Sequence, residues 1–164
     1  MDTPAHILVV VSVHHANTLR VAAAMSSATG MPILPPGDEA SRLIREGATP
    51  ALGSGIFFGH HHEQLLRFAG GLPVFNDRTA YVFSTSGTGL RPMKLIGWHY
   101  HSRLVNLLAS RGFTVSGQFG CRGFDTYGPW GRLGGIARGR PSEQELREAQ
   151  LFARSMADAS TQGR

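Results

Sequence analysis

The chain reads Ile7-Leu-Val-Val-Val11 and continues directly as Ser12-Val-His-His-Ala-Asn-Thr18. A continuous apolar run rich in β-branched residues, without polar alternation, is typical of a parallel strand that helices cover on both faces. Polar residues interrupt the run, and apolar residues then recur at helical spacing from Leu19 onward. Strand, polar turn and helix together predict one βα unit, in which Asn17 or Thr18 caps the helix.

The same alternation continues along the chain. Further strand-like segments lie at residues 31–34, 51–52, 79–83 and 113–119, with helical segments between them. Ser142 and Glu145 form a capping box at the start of a final helix over residues 143–157. Because parallel neighbours need helical crossovers, the pattern predicts an α/β protein with a doubly wound parallel sheet of about five strands and helices on both faces. Residues 1–164 are predicted to form a single domain.

The composition of the chain indicates which kinds of binding partner and which cellular location are expected. The formal net charge is +5 and is carried almost entirely by arginine, since Lys94 is the only lysine. The arginines are spread along the chain without a basic run, so no nucleic-acid partner is predicted. Cys121 is the only cysteine, which excludes an intrachain disulfide and favours a cytoplasmic location. No apolar stretch approaches the roughly 20 residues that span a bilayer, so no membrane partner is predicted.

Polar segments that contain glycine or hydroxyl groups follow three of the predicted strands. They read Ser12-Val-His-His-Ala-Asn-Thr18, Gly53-Ser-Gly-Ile-Phe-Phe-Gly59 and Ser84-Thr-Ser-Gly-Thr88. If these strands are neighbours, the segments converge at one edge of the sheet, where an open α/β protein binds its ligand. The first segment leads into a helix N-terminus, which favours a phosphate. The second offers Phe57 and Phe58 as an aromatic wall for a planar ring, and the third offers hydroxyls for a polar edge.

These segments resemble those of the flavodoxin family, in particular the small single-domain flavodoxin-like proteins with a Ser-x-His-His-x-Asn-Thr first loop. Further matches at Gly120-Cys-Arg-Gly-Phe-Asp-Thr-Tyr127 and Gly134-Gly-Ile-Ala-Arg-Gly-Arg-Pro141 extend the resemblance over nearly the whole chain. The resemblance implies a sheet order of 2-1-3-4-5 and a noncovalently bound flavin mononucleotide (FMN). Its phosphate would lie over residues 13–18, and its ring between residues 54–59 and 84–89.

The residues that the resemblance assigns to FMN binding come from all three segments. They are Ser12, His14, His15, Ala16, Asn17, Thr18, Ser54, Gly55, Ile56, Phe57, Phe58, Gly59, Ser84, Thr85, Ser86, Gly87 and Thr88. Phe57 or Phe58 is expected to cover one face of the ring, with Trp98 or Tyr100 on the opposite face. No catalytic residue and no metal ligand is assigned.

Two features differ from well-studied flavodoxins. Their first loop reads Ser/Thr-x-Thr-Gly-Asn-Thr, whereas Val13 and His15 occupy the first two hydroxyl positions here and Ala16 replaces the glycine. The imidazoles of His14 and His15 can supply the missing donors, face the solvent or bind a metal, and we expect weaker FMN binding. Typical flavodoxins are also acidic, whereas this chain is basic, so the redox partner protein stays unidentified.

Three functional hypotheses follow. The first is an FMN-dependent electron carrier that is not itself a catalyst. The second is an FMN-dependent NAD(P)H or quinone reductase, in which the glycine-rich loop over residues 122–140 closes over the substrate. The third is a binding module that has kept the fold and lost the flavin.

Other motifs point away from hydrolytic and metal chemistry. Cys121 is interpreted as a buried apolar residue at a strand end, with a flavin-proximal or oxidant-sensitive thiol as the alternative. A phosphatase Cys-x5-Arg loop is excluded because Tyr127 stands where arginine is needed, and a hydrolase elbow is excluded because Leu52 stands where glycine is needed. The triplet at residues 60–62, three consecutive histidines, is interpreted as a solvated helix start.

Overall fold

A computed structural model describes residues 3–89, 99–126 and 134–161. The secondary-structure elements follow the predicted alternation of strands and helices, apart from one additional two-residue strand. They are β1 (His6–Val11), α1 (Asn17–Thr29), β2 (Ile33–Leu34), α2 (Asp38–Arg45), β3 (Thr49–Phe57), β4 (His60–His61), α3 (Glu63–Gly71), β5 (Arg78–Ser86), α4 (Ser102–Ser110), β6 (Phe113–Arg122) and α5 (Glu143–Thr161).

The sheet has the order β2-β1-β3-β5-β6, and all four pairings along this path are parallel. If the parallel strands alone are counted in chain order, this is the 2-1-3-4-5 order that the resemblance implied, and the predicted fold class is confirmed. The sequence did not predict β4, a two-residue strand that pairs antiparallel with the end of β3. The order reverses between β1 and β3, so the crevice that binds ligands in such folds lies at their carboxyl ends.

Strand β1 shows why its sequence lacks polar alternation. Ile7, Val9 and Val11 belong to one buried cluster, with apolar residues of α2, α3 and α4. Leu8 and Val10 belong to a second buried cluster, with residues of α1 and α5. Both faces of β1 are therefore covered by helices, as the apolar run predicts.

Strands β3 and β5 are longer than the sequence predicts. Gly53, Ser54 and Gly55 were expected in a turn but lie inside β3, and residues 84–86 likewise lie inside β5. A Cβ atom at Gly53 would overlap the ring of Phe83, which explains a glycine within a central strand. The polar segments thus begin as strand ends, and β3 reaches further toward the ligand edge than expected.

The final helix begins as predicted and ends later. The Ser142 N–H donates to Glu145 Oε2 at 2.8 Å, and the Glu145 N–H donates to Ser142 Oγ at 3.3 Å, which confirms the capping box. The helix extends to Thr161 instead of residue 157, and it packs against α1 through Ala149, Ala153 and Met156. Across the part of the chain that the structure describes, no helix has the length and apolar character needed to cross a membrane.

Candidate functional site

A cavity of about 410 Å³ opens at the carboxyl ends of the strands. Its size falls within the range of about 300–1,000 Å³ that is usual for small-molecule sites. The lining comprises parts of all three predicted segments and a fourth segment after β6. These residues are Val13, His14, Asn17, Thr18, Gly55, Ile56, Phe57, Phe58, Thr85, Ser86, Gly87, Gly123, Phe124, Asp125 and Thr126.

The remaining residues of the predicted set do not line the cavity, but each is adjacent in the chain to a residue that does. They are Ser12, His15, Ala16, Ser54, Gly59, Ser84 and Thr88. Residues 123–126 were not among the predicted FMN-binding residues, and only the reductase hypothesis placed them near a ligand, as part of the loop over residues 122–140. Two signals for them exist in the sequence, because they directly follow the last strand and belong to the Gly120–Tyr127 match with the flavodoxin family.

The first turn of α1 faces the cavity, but its cap is not the one predicted. Ala16 occupies the N-cap position, with a φ of 52°, and the Leu19 N–H donates to Ser12 Oγ at 3.3 Å. The prediction that Asn17 or Thr18 caps the helix is therefore wrong. Both residues lie inside the first turn and are buried. Their backbone N–H groups precede the first intrahelical hydrogen bond, so the turn presents donors to an anion.

The side chains of Asn17 and Thr18 join α1 to two other segments of the cavity wall. Asn17 Nδ2 donates to the Phe124 carbonyl oxygen at 2.7 Å. Thr18 Oγ1 and Thr85 Oγ1 form a buried hydrogen bond of 2.8 Å. A Cβ atom at Gly123 would lie 2.7 Å from Asn17 Nδ2, so the absence of a side chain there allows the close approach. The N-terminus of α1 is thereby fixed against the ends of β5 and β6.

His15 closes the loop before α1 onto the fourth segment. Its Nε2 atom lies 2.8 Å from Thr126 Oγ1, and its ring centroid lies 4.6 Å from that of Phe124. His14 lines the cavity, and both imidazoles are exposed to solvent. The contact of His15 with the segment after β6 was not among the predicted roles of these two imidazoles.

A tight hairpin forms the aromatic wall. Phe57 pairs with His60, so Phe58 and Gly59 are the two turn residues, with φ values of 50° and 82°. Positive φ at both central positions is the conformation that such two-residue hairpins favour, but it is strained for a bulky residue. The Phe58 side chain is nonetheless 83% exposed at the cavity. An exposed apolar ring in a strained conformation indicates a functional contact.

Tyr100 does not line the side of the cavity opposite Phe57 and Phe58. It is buried away from the described lining, and its hydroxyl lies 2.9 Å from Thr88 Oγ1. Of the two residues expected on that face, Tyr100 is therefore the wrong one, because its ring is buried and its hydroxyl is bonded to Thr88. Trp98, the other candidate for that face, lies outside the described residues.

Behind the cavity lie two buried serine–histidine pairs. Ser54 Oγ is 2.8 Å from His61 Nδ1, and Ser84 Oγ is 2.8 Å from His101 Nε2. The two imidazole centroids are 5.0 Å apart. Because Ser54 and Ser84 are neighbours in the β3–β5 pairing, these bonds support both strand ends from the same side.

The solvated helix start predicted for the histidine triplet is wrong for its first two residues, because His60 and His61 form β4. His61 is the buried one of the two. Its ring is fully buried, and burial, followed by the Coulombic effects of His101 and His60, lowers the pKa of His61 well below 6.5. The imidazole is therefore neutral at neutral pH. The prediction holds for His62, which caps α3 by accepting a hydrogen bond from the Gln64 N–H at 3.2 Å. In the described residues, no group of metal-binding side chains comes together.

Cys121 is a packed residue of the second core cluster. Burial, with Glu145 and Glu148 contributing, raises the pKa of its thiol to about 12. Because the thiolate is the reactive form, the Cys121 thiol is unreactive at neutral pH. The interpretation as a buried apolar residue is confirmed.

Comparison with known proteins gives a relative and a set of similar folds. No family model matches the chain. An uncharacterized protein of Methanocaldococcus jannaschii is 30% identical over 145 residues, which cover 88% of this chain and 93% of that protein. The WrbA-like flavodoxin of Agrobacterium tumefaciens superposes with a TM-score of 0.67 and 18% identity, covering 98% of this chain and 100% of that one. Oxidised Flavodoxin 2 of Bacillus cereus superposes with a TM-score of 0.63 and 14% identity. The match covers 94% of this chain and 99% of that one.

Proposed function

This chain belongs to the same family as the Methanocaldococcus jannaschii protein and has the flavodoxin fold. On that premise we propose that it is an electron-transfer protein that binds FMN noncovalently. One observation carries the proposal. Segments far apart in the chain, which end β1, β3, β5 and β6, meet around a single cavity at the edge of the sheet where such folds bind ligands.

The α1 end of the cavity fits a phosphate. The backbone N–H groups of Asn17 and Thr18 lie at the positive end of the helix dipole, beside the Thr18 and Thr85 hydroxyls. His14 adds an imidazole to the same wall, which supports the idea that imidazoles replace hydroxyls missing from the first loop. These groups favour an anion without a lysine or arginine in the described lining.

The hairpin end fits a planar ring. Phe57 and Phe58 offer apolar cover, while Ser86 and Gly87 follow on the neighbouring strand and loop. A Cβ atom at Gly87 would collide with Ile136, so the backbone of this loop lies close to the glycine-rich segment and is held there. Residues of both segments, 54–59 and 84–89, line the cavity, which supports the proposal that the ring lies between them.

When bound, FMN would accept and donate the electrons, and the role of the protein is to hold it and set its potential. Apolar cover and the lack of a lysine or arginine in the described lining disfavour a negatively charged reduced ring, so we expect a low reduction potential. We propose that this protein exchanges electrons with a redox partner protein. Because this chain is basic, we expect its docking surface to differ from that of the acidic flavodoxins. A cytoplasmic location is part of the same proposal.

Purified protein tests the proposal against the two other hypotheses. An electron carrier should be yellow, or become yellow with added FMN, and NADPH added without oxygen should bleach it only when a reductase is present. Bleaching by NADPH alone would instead identify a reductase. Colourless protein that does not respond to FMN would identify a binding module that has lost the flavin.

A further inference from the structure

A second pocket, of about 430 Å³, lies directly beside the proposed flavin cavity. It is lined by His15, Asn17, Arg20, Phe124, Arg138, Gly139 and Arg140. Asn17 and Phe124 line both spaces. The second pocket therefore adjoins the end of the cavity where the first turn of α1 lies. We call it the arginine pocket.

Two of its three guanidinium groups are held by uncharged partners. Arg20 NH2 donates to the Pro141 carbonyl oxygen at 3.3 Å. Arg138 donates to the Gly134 carbonyl oxygen through Nε at 3.1 Å and through NH2 at 2.9 Å. A carbonyl oxygen fixes a guanidinium group in place without neutralising its charge, and each group keeps further N–H donors for a ligand.

The third guanidinium group differs. Arg140 NH1 lies 3.0 Å from Glu145 Oε2, so this charge is neutralised. In residues 3–89, 99–126 and 134–161, neither Arg20 nor Arg138 has a carboxylate within ion-pair distance. The arginine pocket thus carries two uncompensated positive charges, which attract an anion into a concave site.

A wall separates these charges from the flavin cavity. Asn17 is hydrogen-bonded to Phe124, and both residues line the cavity and the arginine pocket. His15, which lines the arginine pocket, is hydrogen-bonded to Thr126, which lines the cavity. No arginine appears in the described lining of the cavity itself. The arginine pocket is therefore a site beside the place proposed for the FMN phosphate and not a part of it.

We propose that the arginine pocket is a second phosphate-binding site. Guanidinium groups bind phosphate oxygens through paired hydrogen bonds, and two such groups can bind the oxygens of one phosphate group. The phosphate comes either from the adenylate half of a flavin adenine dinucleotide (FAD) whose FMN half lies in the cavity, or from a separate phosphorylated ligand. The first source rests on the proposed flavin function, and the second does not.

Inorganic pyrophosphate is the probe. It is titrated into FMN-saturated protein by calorimetry at constant ionic strength, and we expect one saturable site per chain. The double variant Arg20→Gln/Arg138→Gln should bind pyrophosphate at least about tenfold more weakly, while its FMN affinity stays within about twofold. Arg147→Gln is the matched control, because Arg147 is an exposed arginine of α5 that lines neither space. It should leave pyrophosphate binding unchanged.

Thermal unfolding of each variant checks the fold, and the single variant Arg138→Gln replaces the double one if that proves unstable. FAD distinguishes the sources. If FAD binds wild type more tightly than FMN and the double variant loses this advantage, the phosphate belongs to FAD. If FAD and FMN bind equally and pyrophosphate still binds, the ligand is separate.

Three results would overturn the inference. They are the absence of saturable pyrophosphate binding, an equal effect of the control and double variants, and competition between pyrophosphate and FMN together with weaker FMN binding in the double variant. The last would make the arginines part of the FMN phosphate site. If FMN does not bind at all, the proposed function fails on its own, and the same comparison in flavin-free protein still tests the arginine pocket.

Discussion

Thr18 Oγ1 lies 2.8 Å from Thr85 Oγ1, and 67 positions separate the two residues in the chain. Thr18 belongs to the first turn of α1, and Thr85 lies near the carboxyl end of β5. Both are buried, and both line the cavity. The bond therefore sets the distance between the proposed phosphate end of the site and the strand that leads to its ring end.

Replacing Thr18 tests this link. In Thr18→Ala the hydroxyl is lost and Thr85 loses its partner in a buried setting, so we expect FMN affinity to fall at least tenfold, about 1.4 kcal/mol. Fluorescence quenching of FMN during titration measures the change. Thr18→Ser keeps the hydroxyl and should retain most of the affinity. Equal affinities of wild type and Thr18→Ala would remove Thr18 from the site.

We expect the Phe58 side chain to contribute to FMN binding, although its left-handed backbone conformation lowers the stability of the fold. Asparagine tolerates the left-handed conformation of this turn position better than phenylalanine does. We therefore expect Phe58→Asn to keep or raise the free energy of unfolding, by up to about 1 kcal/mol, and to weaken FMN binding by about tenfold. Denaturant unfolding and flavin titration measure the two effects. Val74→Asn removes another exposed apolar residue and should leave FMN binding unchanged. A loss of stability with unchanged binding would show that Phe58 is structural.

The buried histidines predict how stability depends on pH. Burial lowers the pKa of His61 well below its ordinary value of 6.5 and also lowers the pKa of His6. Below pH 6.5 the unfolded chain binds protons that the folded chain does not. The free energy of unfolding should therefore fall as the pH decreases, by up to about 1.4 kcal/mol per pH unit for each such histidine.

Denaturant unfolding above and below pH 6.5 measures this dependence. His61→Asn should show a shallower decline than wild type, whereas His99→Asn, which removes an exposed imidazole, should keep the wild-type slope. Constant stability across the range, or an unchanged slope in His61→Asn, would contradict the account of His61.

Cys121 should resist labelling in the folded protein. Burial raises the pKa of its thiol to about 12, so almost no thiolate exists near neutral pH. A thiol reagent should modify the chain slowly until denaturant is added and rapidly afterwards, as followed by mass. Rapid modification of folded protein would restore the alternative of an accessible, oxidant-sensitive thiol.

That the sheet is parallel, and which of its edges carries the site, could be inferred from the sequence for a physical reason, whereas the order of the strands followed only from the resemblance to the flavodoxin family. Residues 7–11 form an apolar run rich in β-branched residues and without alternation, which is typical of a strand buried on both faces, and the polar segments follow strands directly. Once the strands are parallel, their carboxyl ends share an edge, so Thr18 and Thr85 are expected near each other from the topology.

What sequence reasoning missed depends on contacts between distant residues. Gly53 reads as a turn residue, and only the ring of Phe83 above it explains a glycine inside β3. His61 reads as polar and exposed, but the β3–β4 hairpin turns it inward, where Ser54 and His101 surround it. The partners of Gly53 and His61 do not lie at a spacing that a sequence pattern reveals. The bond between Asn17 and Phe124, which are 107 positions apart, could not be predicted for the same reason.

The most direct test of the central claim is an FMN titration of flavin-free wild-type protein, followed by flavin fluorescence and visible absorption. The account predicts saturation at one FMN per chain, with quenched fluorescence and weaker binding of riboflavin, because riboflavin lacks the phosphate that the first turn of α1 is proposed to hold. Fluorescence that stays unquenched at every ratio of protein to FMN would contradict it.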